Sequence, residues 1–266
     1  MDFTNYLNMV LETILVKKNT SPFLIFLVSA IISFISVFIA YTVFKDSTGL
    51  FIVVIISLTM VPYINKVLRR EEIETEKTGR TQTFLQRHGD IIQVFVAIFL
   101  GMTFAMSTVF MMLPQSSVEA IFDEQIQEVK IIQGNFGFGG KFFEIMINNT
   151  SVLMLSFLFS FLLGTGAILI LAWNSSVLST AIGLIAKSLG GLRGVPVAVL
   201  TFLPHGSFEL VAYFIGAIAG GLISAALMNR RSRKFWYIFK DSLGLLSISF
   251  ILLIIGAIVE TFVIGF

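Results

Sequence analysis

Three ionisable side chains of this 266-residue chain lie well inside apolar runs: His205, Glu209 and Glu260. His205 and Glu209 belong to "LPHGSFE" (203–209), inside a stretch that is otherwise almost wholly apolar from Val195 to Met228. Their four-residue spacing puts both on one helical face, a turn apart. An imidazole with two carboxylates suits a Zn-like divalent cation, so the candidate metal ligands are His205, Glu209 and Glu260. The spacing is not the His-Glu-x-x-His of zinc proteases, in which a second His and an adjacent Glu complete the chemistry. A charged carboxylate at membrane depth costs at least about 2.5 kcal/mol, so it must be protonated, paired or wet. The plainer reading is therefore a polar joint: Glu209 and Glu260 bonding to His205 and to carbonyls freed around Pro204.

These residues lie in lipid because the composition leaves no alternative. Hydrophobic residues are 56% of the chain, charged residues 13%, and 28 residues are Phe; the mean hydropathy is +0.92. A soluble domain of this size could not hide so much apolar surface. The expected fold is an all-α, polytopic transmembrane helical bundle, with the lipid bilayer as its first partner. The net charge of +2 gives no reason to expect nucleic acid. The absence of cysteine excludes disulfides and thiolate chemistry. The first residues, through Lys17 and Lys18, lack the basic start and small-residue cleavage site of a signal peptide and read as an amphipathic lead-in.

A span needs about 20 apolar residues. Pro22–Phe44, Leu50–Leu68, Ile91–Leu113, Ser151–Trp173 and Ser242–Ile264 qualify, and Ser207–Met228 does if Glu209 is tolerated. Charge arbitrates the count. Segment 65–90 holds six Lys/Arg and 229–241 holds five, whereas 114–147 holds two Lys and five acids. The positive-inside rule puts the first two in the cytoplasm and the third outside. Both basic segments are inside only if the short stretch Ser175–Gly190 also crosses, which makes six to seven passes. The N-terminus is then cytoplasmic, the C-terminus outside, and Lys187 and Arg193 fall on the less favoured side.

Val195–Met228 as one helix would be about 51 Å long at 1.5 Å per residue. A re-entrant segment is therefore expected, broken at Pro204, which lacks a donor, and at Gly206. Irregular backbone at this depth needs protein or water around it. With this topology His205, Glu209 and Glu260 share one depth toward the outer leaflet, and Asn148 and Asn149 reach it too. Three regions follow: 1–113 with its cytoplasmic charged segment 65–90, an outer loop 114–147, and a membrane region 148–266.

Other features read more simply. His88 follows a mixed-charge stretch, expected to be a cytoplasmic helical hairpin or linker, and is taken as solvated. Gly216, Gly220 and Gly221 form a small-residue face for close helix packing, within the chain or in a homo-oligomer. The glycine-rich 134–144 lacks the Gly-Lys-Ser/Thr of a phosphate loop and reads as a loop entering an aromatic anchor. Trp173 and Asn174 are placed at the inner end of a span, Asn174 as a helix cap. No serine or cysteine triad is present.

The stretch 147–183, beginning Ile147-Asn148-Asn149, then "LPHGSFELVAYFIGAIAGG" (203–221), then "IVETF" (258–262) resemble the stage II sporulation protein M family. The Pro-His-Gly-x-x-Glu signature carries most of the likeness, which covers the C-terminal half. Where that family often has Asn-Gly, this chain has Asn174-Ser175. The resemblance implies an integral membrane scaffold that recruits envelope or membrane-remodelling protein partners, more than an enzyme. An ion or solute channel or transporter using His205, Glu209 and Glu260 stands as one alternative, an intramembrane metal-dependent hydrolase as another.

Overall fold

The computed structural model of the chain describes residues 21–78, 84–134, 141–228 and 235–265. Eight α-helices cover them: α1 (Pro22–Val43), α2 (Thr48–Thr78), α3 (Phe84–Met112), α4 (Gln115–Gly134), α5 (Lys141–Leu163), α6 (Ala167–Ser188), α7 (Val195–Met228) and α8 (Phe235–Gly265). All but α4 are long and apolar enough to cross a membrane, which gives seven spans. The chain is an all-α polytopic bundle. The amphipathic lead-in and most of the glycine-rich stretch 134–144 lie outside the described residues.

Two expectations about α5–α7 are corrected. The span expected over Ser151–Trp173 ends at Leu163, and the next helix begins at Ala167. Gly164 sits at φ +72 between them, a conformation glycine adopts without strain. Thr165 N–H closes the turn on the Leu163 carbonyl at 2.8 Å, and Ser160 Oγ reaches the Gly164 carbonyl at 3.1 Å. Apolar residues on both sides of a two-glycine turn hide it from a hydropathy reading. The supposedly short crossing is thus a full 22-residue helix, Ala167–Ser188. Trp173 and Asn174 lie inside it, and Asn174 Nδ2 donates to the Ile170 carbonyl at 2.8 Å instead of capping.

The second correction concerns Pro204 and Gly206. No re-entrant break forms there: α7 is one helix of 34 residues with Pro204 inside it. Its length exceeds the roughly 30 Å hydrocarbon core, so it tilts or overhangs rather than folding back. A proline inside a spanning helix is tolerated when neighbouring helices surround it. Among the seven spans that of α7 is the most enclosed, with 78% of its most apolar window buried against 28% for α5. It is the central post of the bundle, packed by α5 and α8.

Glycines set how closely these helices approach. At Gly220 a Cβ would run into the Phe157 carbonyl and the Phe161 N–H of α5, and at Gly216 into the Leu153 side chain. At Gly221 it would press on Leu68 of α2 and Ser160 of α5. The small-residue face is used within the chain. Elsewhere Gly101 of α3 meets the Phe26 backbone of α1. Ser175 and Ser179 of α6 hydrogen-bond to Thr103 of α3, at 2.9 Å to its hydroxyl and 3.1 Å to its carbonyl. Polar bonds of this kind hold helices together where lipid supplies no hydrophobic drive.

The region expected as an outer loop contains α4, whose buried face (Val118, Ile121, Phe122, Ile126, Val129) packs on the bundle end while Glu119 and Asp123 stay exposed. Lys187, disfavoured on that side by charge counting, donates to the Leu113 carbonyl just past α3 at 3.0 Å and lies over the Phe110 ring. A cation at a helix C-terminus complements the helix dipole.

At the other end, here called the basic end, α2 continues to Thr78 and α3 starts at Phe84. His88, read as solvated, is fully buried there. Its Nδ1 lies 2.5 Å from Glu71 Oε1 and its Nε2 3.1 Å from Asp241 Oδ2. One imidazole thus ties α2, α3 and α8 together. Removing it would leave two carboxylates facing each other in a buried site. His88→Ala is expected to destabilise the protein by about 3 kcal/mol or more, measured as denaturant unfolding in detergent; wild-type stability would contradict this role.

Candidate functional site: a carboxyl and amide cluster across three helices

The helices that bring the predicted residues together do so at the end opposite the basic one. Asn148 and Asn149 lie in the first turns of α5, Glu209 in the first half of α7 and Glu260 near the end of α8. The Gly216 and Gly220 contacts hold α5 against α7, two and three turns along α7 from Glu209. On the α8 side Gly256 does the same work. A Cβ there would sit 3.1 Å from Glu209 Cγ and 3.5 Å from the His205 carbonyl oxygen. Gly256 is four residues before Glu260, so both face α7.

The polar groups form a chain. Tyr213 O–H donates to Asn149 Oδ1 at 3.0 Å, and Asn149 Nδ2 donates to Glu209 Oε1 at 2.6 Å. The Glu260 carboxyl of α8 faces that of Glu209 across the helix contact. Two facing carboxyls can hydrogen-bond only when one of them carries a proton. Asn148 Nδ2 adds a longer contact to Asn149 Oδ1 at 3.4 Å. Asn149 is buried and Asn148 exposed. The amide orientation of Asn149 is dictated from both sides, by a hydroxyl that donates and a carboxyl that accepts.

His205 stands apart from this chain. Its Nδ1 is buried without a hydrogen-bond partner, and its ring lies edge-on to Phe202, centroids 6.3 Å apart. The four-residue spacing puts it on the Glu209 side of α7 but one turn away, and no bond joins them. Among the described residues no group of three or more His, Cys, Asp or Glu is arranged to hold a metal ion. The set His205, Glu209, Glu260 is therefore not assembled as Zn-like ligands, because the carboxyls are turned toward Asn149 and each other. Pro204 and Gly206 contribute no break, as described above.

Two members of the site escape the sequence reading. Tyr213 is one turn beyond Glu209 on the same face, a spacing that is visible in the sequence, but a Tyr in an apolar run looks like an ordinary membrane aromatic. Gly256 shows only its spacing from Glu260.

The chain matches the description "stage II sporulation protein M" over residues 22–263, nearly all of the described spans. It belongs to the stage II sporulation protein M family. The match takes in the N-terminal helices as well as the C-terminal half that carries the Pro-His-Gly-x-x-Glu signature. A protein of Methanocaldococcus jannaschii, described only as uncharacterized, is 28% identical over 170 residues, 61% of this chain and 89% of that protein. No solved structure matches. In this member of the stage II sporulation protein M family, the Asn-Asn pair, the signature Glu and the terminal-helix Glu converge on one joint.

If Asn149 is the middle of the chain, its loss leaves Tyr213 and Glu209 unsatisfied. Asn149→Ala is expected to cost about 1–3 kcal/mol, and Asn148→Ala much less, in unfolding measured in detergent. A double-mutant cycle of Asn149→Ala with Tyr213→Phe should show coupling of about 0.5 kcal/mol or more. Equal effects of the two Asn variants, or strict additivity, would contradict the chain.

Proposed function

We propose that this family member is an integral membrane scaffold that recruits envelope or membrane-remodelling partners. The observation that carries the reading is that the intramembrane polar residues spend their hydrogen bonds on one another. Tyr213, Asn149, Glu209 and Glu260 tie α5, α7 and α8 into a rigid unit. That is the chemistry of a joint rather than of a reaction centre. Helix α4, packed on α2 and α6, presents an exposed stripe of Glu119, Asp123 and Gln127 that suits a polar protein surface. With the basic segments cytoplasmic by the positive-inside rule, α4 faces the envelope, the N-terminus is inside and the C-terminus outside.

The test reverses the charge of that stripe. Glu119→Lys with Asp123→Lys should leave thermal unfolding unchanged and abolish in vivo cross-linking to envelope partners. A charge-reversed protein that still cross-links to the same partners would sink the reading.

The facing carboxyls of Glu209 and Glu260 favour a second reading, a proton-coupled transporter, since intramembrane carboxyls mark proton paths. Proteoliposomes should then show a proton flux that Glu209→Gln removes. Silent proteoliposomes leave the scaffold reading in place. The metal-dependent hydrolase is not carried further, because its ligands do not converge.

A further inference from the structure

Helix α5 is the least enclosed of the seven spans. One of its faces packs on α7. The opposite face exposes Glu144, Asn148, Ser151, Leu155, Leu158 and Leu162, which follow one another at intervals of four and three residues in alternation. The repeat is about 3.5 residues, which keeps two helices in contact along a left-handed seam. Asn148, Leu155 and Leu162 share one position of that seam, and Glu144, Ser151 and Leu158 the other. Asn148 is the member that lipid does not suit. It lies six residues past the start of the span Phe142–Leu163, about 9 Å along the helix at 1.5 Å per residue. Among the described residues its side chain makes one hydrogen bond, the 3.4 Å contact of Nδ2 with Asn149 Oδ1. The carbonyl oxygen and the second N–H are open, and a bilayer offers them no partner.

The chemistry of the amide selects what covers it. Copies of one chain inserted in a membrane run the same way, so a two-fold axis along the bilayer normal sets each residue of α5 opposite itself at one depth. A carboxamide is its own complement, because the N–H of each can donate to the oxygen of the other. A helix of another protein needs a matching polar group at that depth, whereas a second copy carries one there already. Toward the basic end the seam sets leucine against leucine at 155, 158 and 162, the apolar packing of a coiled coil, and a single Asn in such a seam fixes register and oligomer state. Glu144 alone would meet a like charge. It lies two residues into the span, at the polar boundary, where screening weakens the repulsion. We propose that the exposed face of α5 is the contact between two copies of this chain, with Asn148 of each copy hydrogen-bonded to Asn148 of the other. The dimer extends the chain of Tyr213, Asn149 and Glu209 outward through Asn148, and it does not depend on the scaffold reading.

The chain has no cysteine, so single introduced cysteines report without background. In the full-length protein in native membranes, Ser151→Cys should form a disulfide-linked dimer on mild oxidation. Ile251→Cys, exposed on α8, should not. Energy transfer between copies labelled at Ile251→Cys and diluted in phosphatidylcholine vesicles reads the dimer's dissociation constant. Asn148→Leu should raise that constant about tenfold, and Asn148→Gln, which keeps the amide, should hold it within about twofold. Thermal unfolding should be nearly unchanged in both variants, since Asn148 is exposed. A monomer at every dilution overturns the proposal, as does equal cross-linking at the two cysteines or a dimer that Asn148→Leu leaves intact. Cross-linking of Ser151→Cys to a different protein, and not to itself, overturns the second copy and gives the face to a foreign helix.

Discussion

Inside a bilayer a polar group that finds no partner in the protein finds none at all, and the packing of α5, α7 and α8 is arranged around that requirement. Glu209 is the most demanding group, a carboxyl on the most enclosed helix of the bundle. It is satisfied from two directions, by Asn149 of α5 and by Glu260 of α8. Neither partner could reach it if the helices stood at ordinary distance. Gly216 and Gly220 let α5 close on α7, and Gly256 lets α8 do so. The glycines and the polar residues are thus one device. A larger side chain at Gly220 would break hydrogen bonds that it never touches, and one at Gly256 would press on Glu209 itself.

The same logic recurs at the basic end in a different form. His88 answers Glu71 and Asp241, so α2, α3 and α8 are tied there as α5, α7 and α8 are tied at the other end. Helix α8 takes part in both knots. Between them the bundle is held by apolar packing and by small-residue seams such as Thr103 with Ser175 and Ser179. Two polar knots at opposite ends, with packing between, fix the register of long helices that lipid alone would let slide.

Much of this was legible before the fold. The spans of α1, α2 and α3 and a count of six to seven passes follow from apolar length and charge. The convergence of Asn149, Glu209 and Glu260 follows from topology, because opposite-running helices place them at one depth. What failed did so for local reasons. Gly164 and Gly166 carry no polarity, so the turn between α5 and α6 was invisible in a hydropathy run and Trp173 was taken for a helix end. Pro204 was given the power to break a helix that its neighbours keep whole. His88 follows a charged stretch and looks wet in sequence, although its carboxylate partners lie 17 and 153 residues away, a pairing that no local pattern displays. His205, the most chemical residue by type, joins no hydrogen-bond network among the described residues.

The central claim is that Glu209 and Glu260 meet across the contact of α7 with α8, an arrangement that two carboxyls can keep only by sharing one proton. Infrared difference spectroscopy of the full-length protein, comparing wild type with Glu209→Gln and with Glu260→Gln, tests it directly. A C=O stretch from one hydrogen-bonded, protonated carboxyl should be present at neutral pH, shift on deuteration, and vanish in both variants. Its absence from the wild type, or its survival in both variants, would contradict the shared proton and with it the joint that organises the bundle.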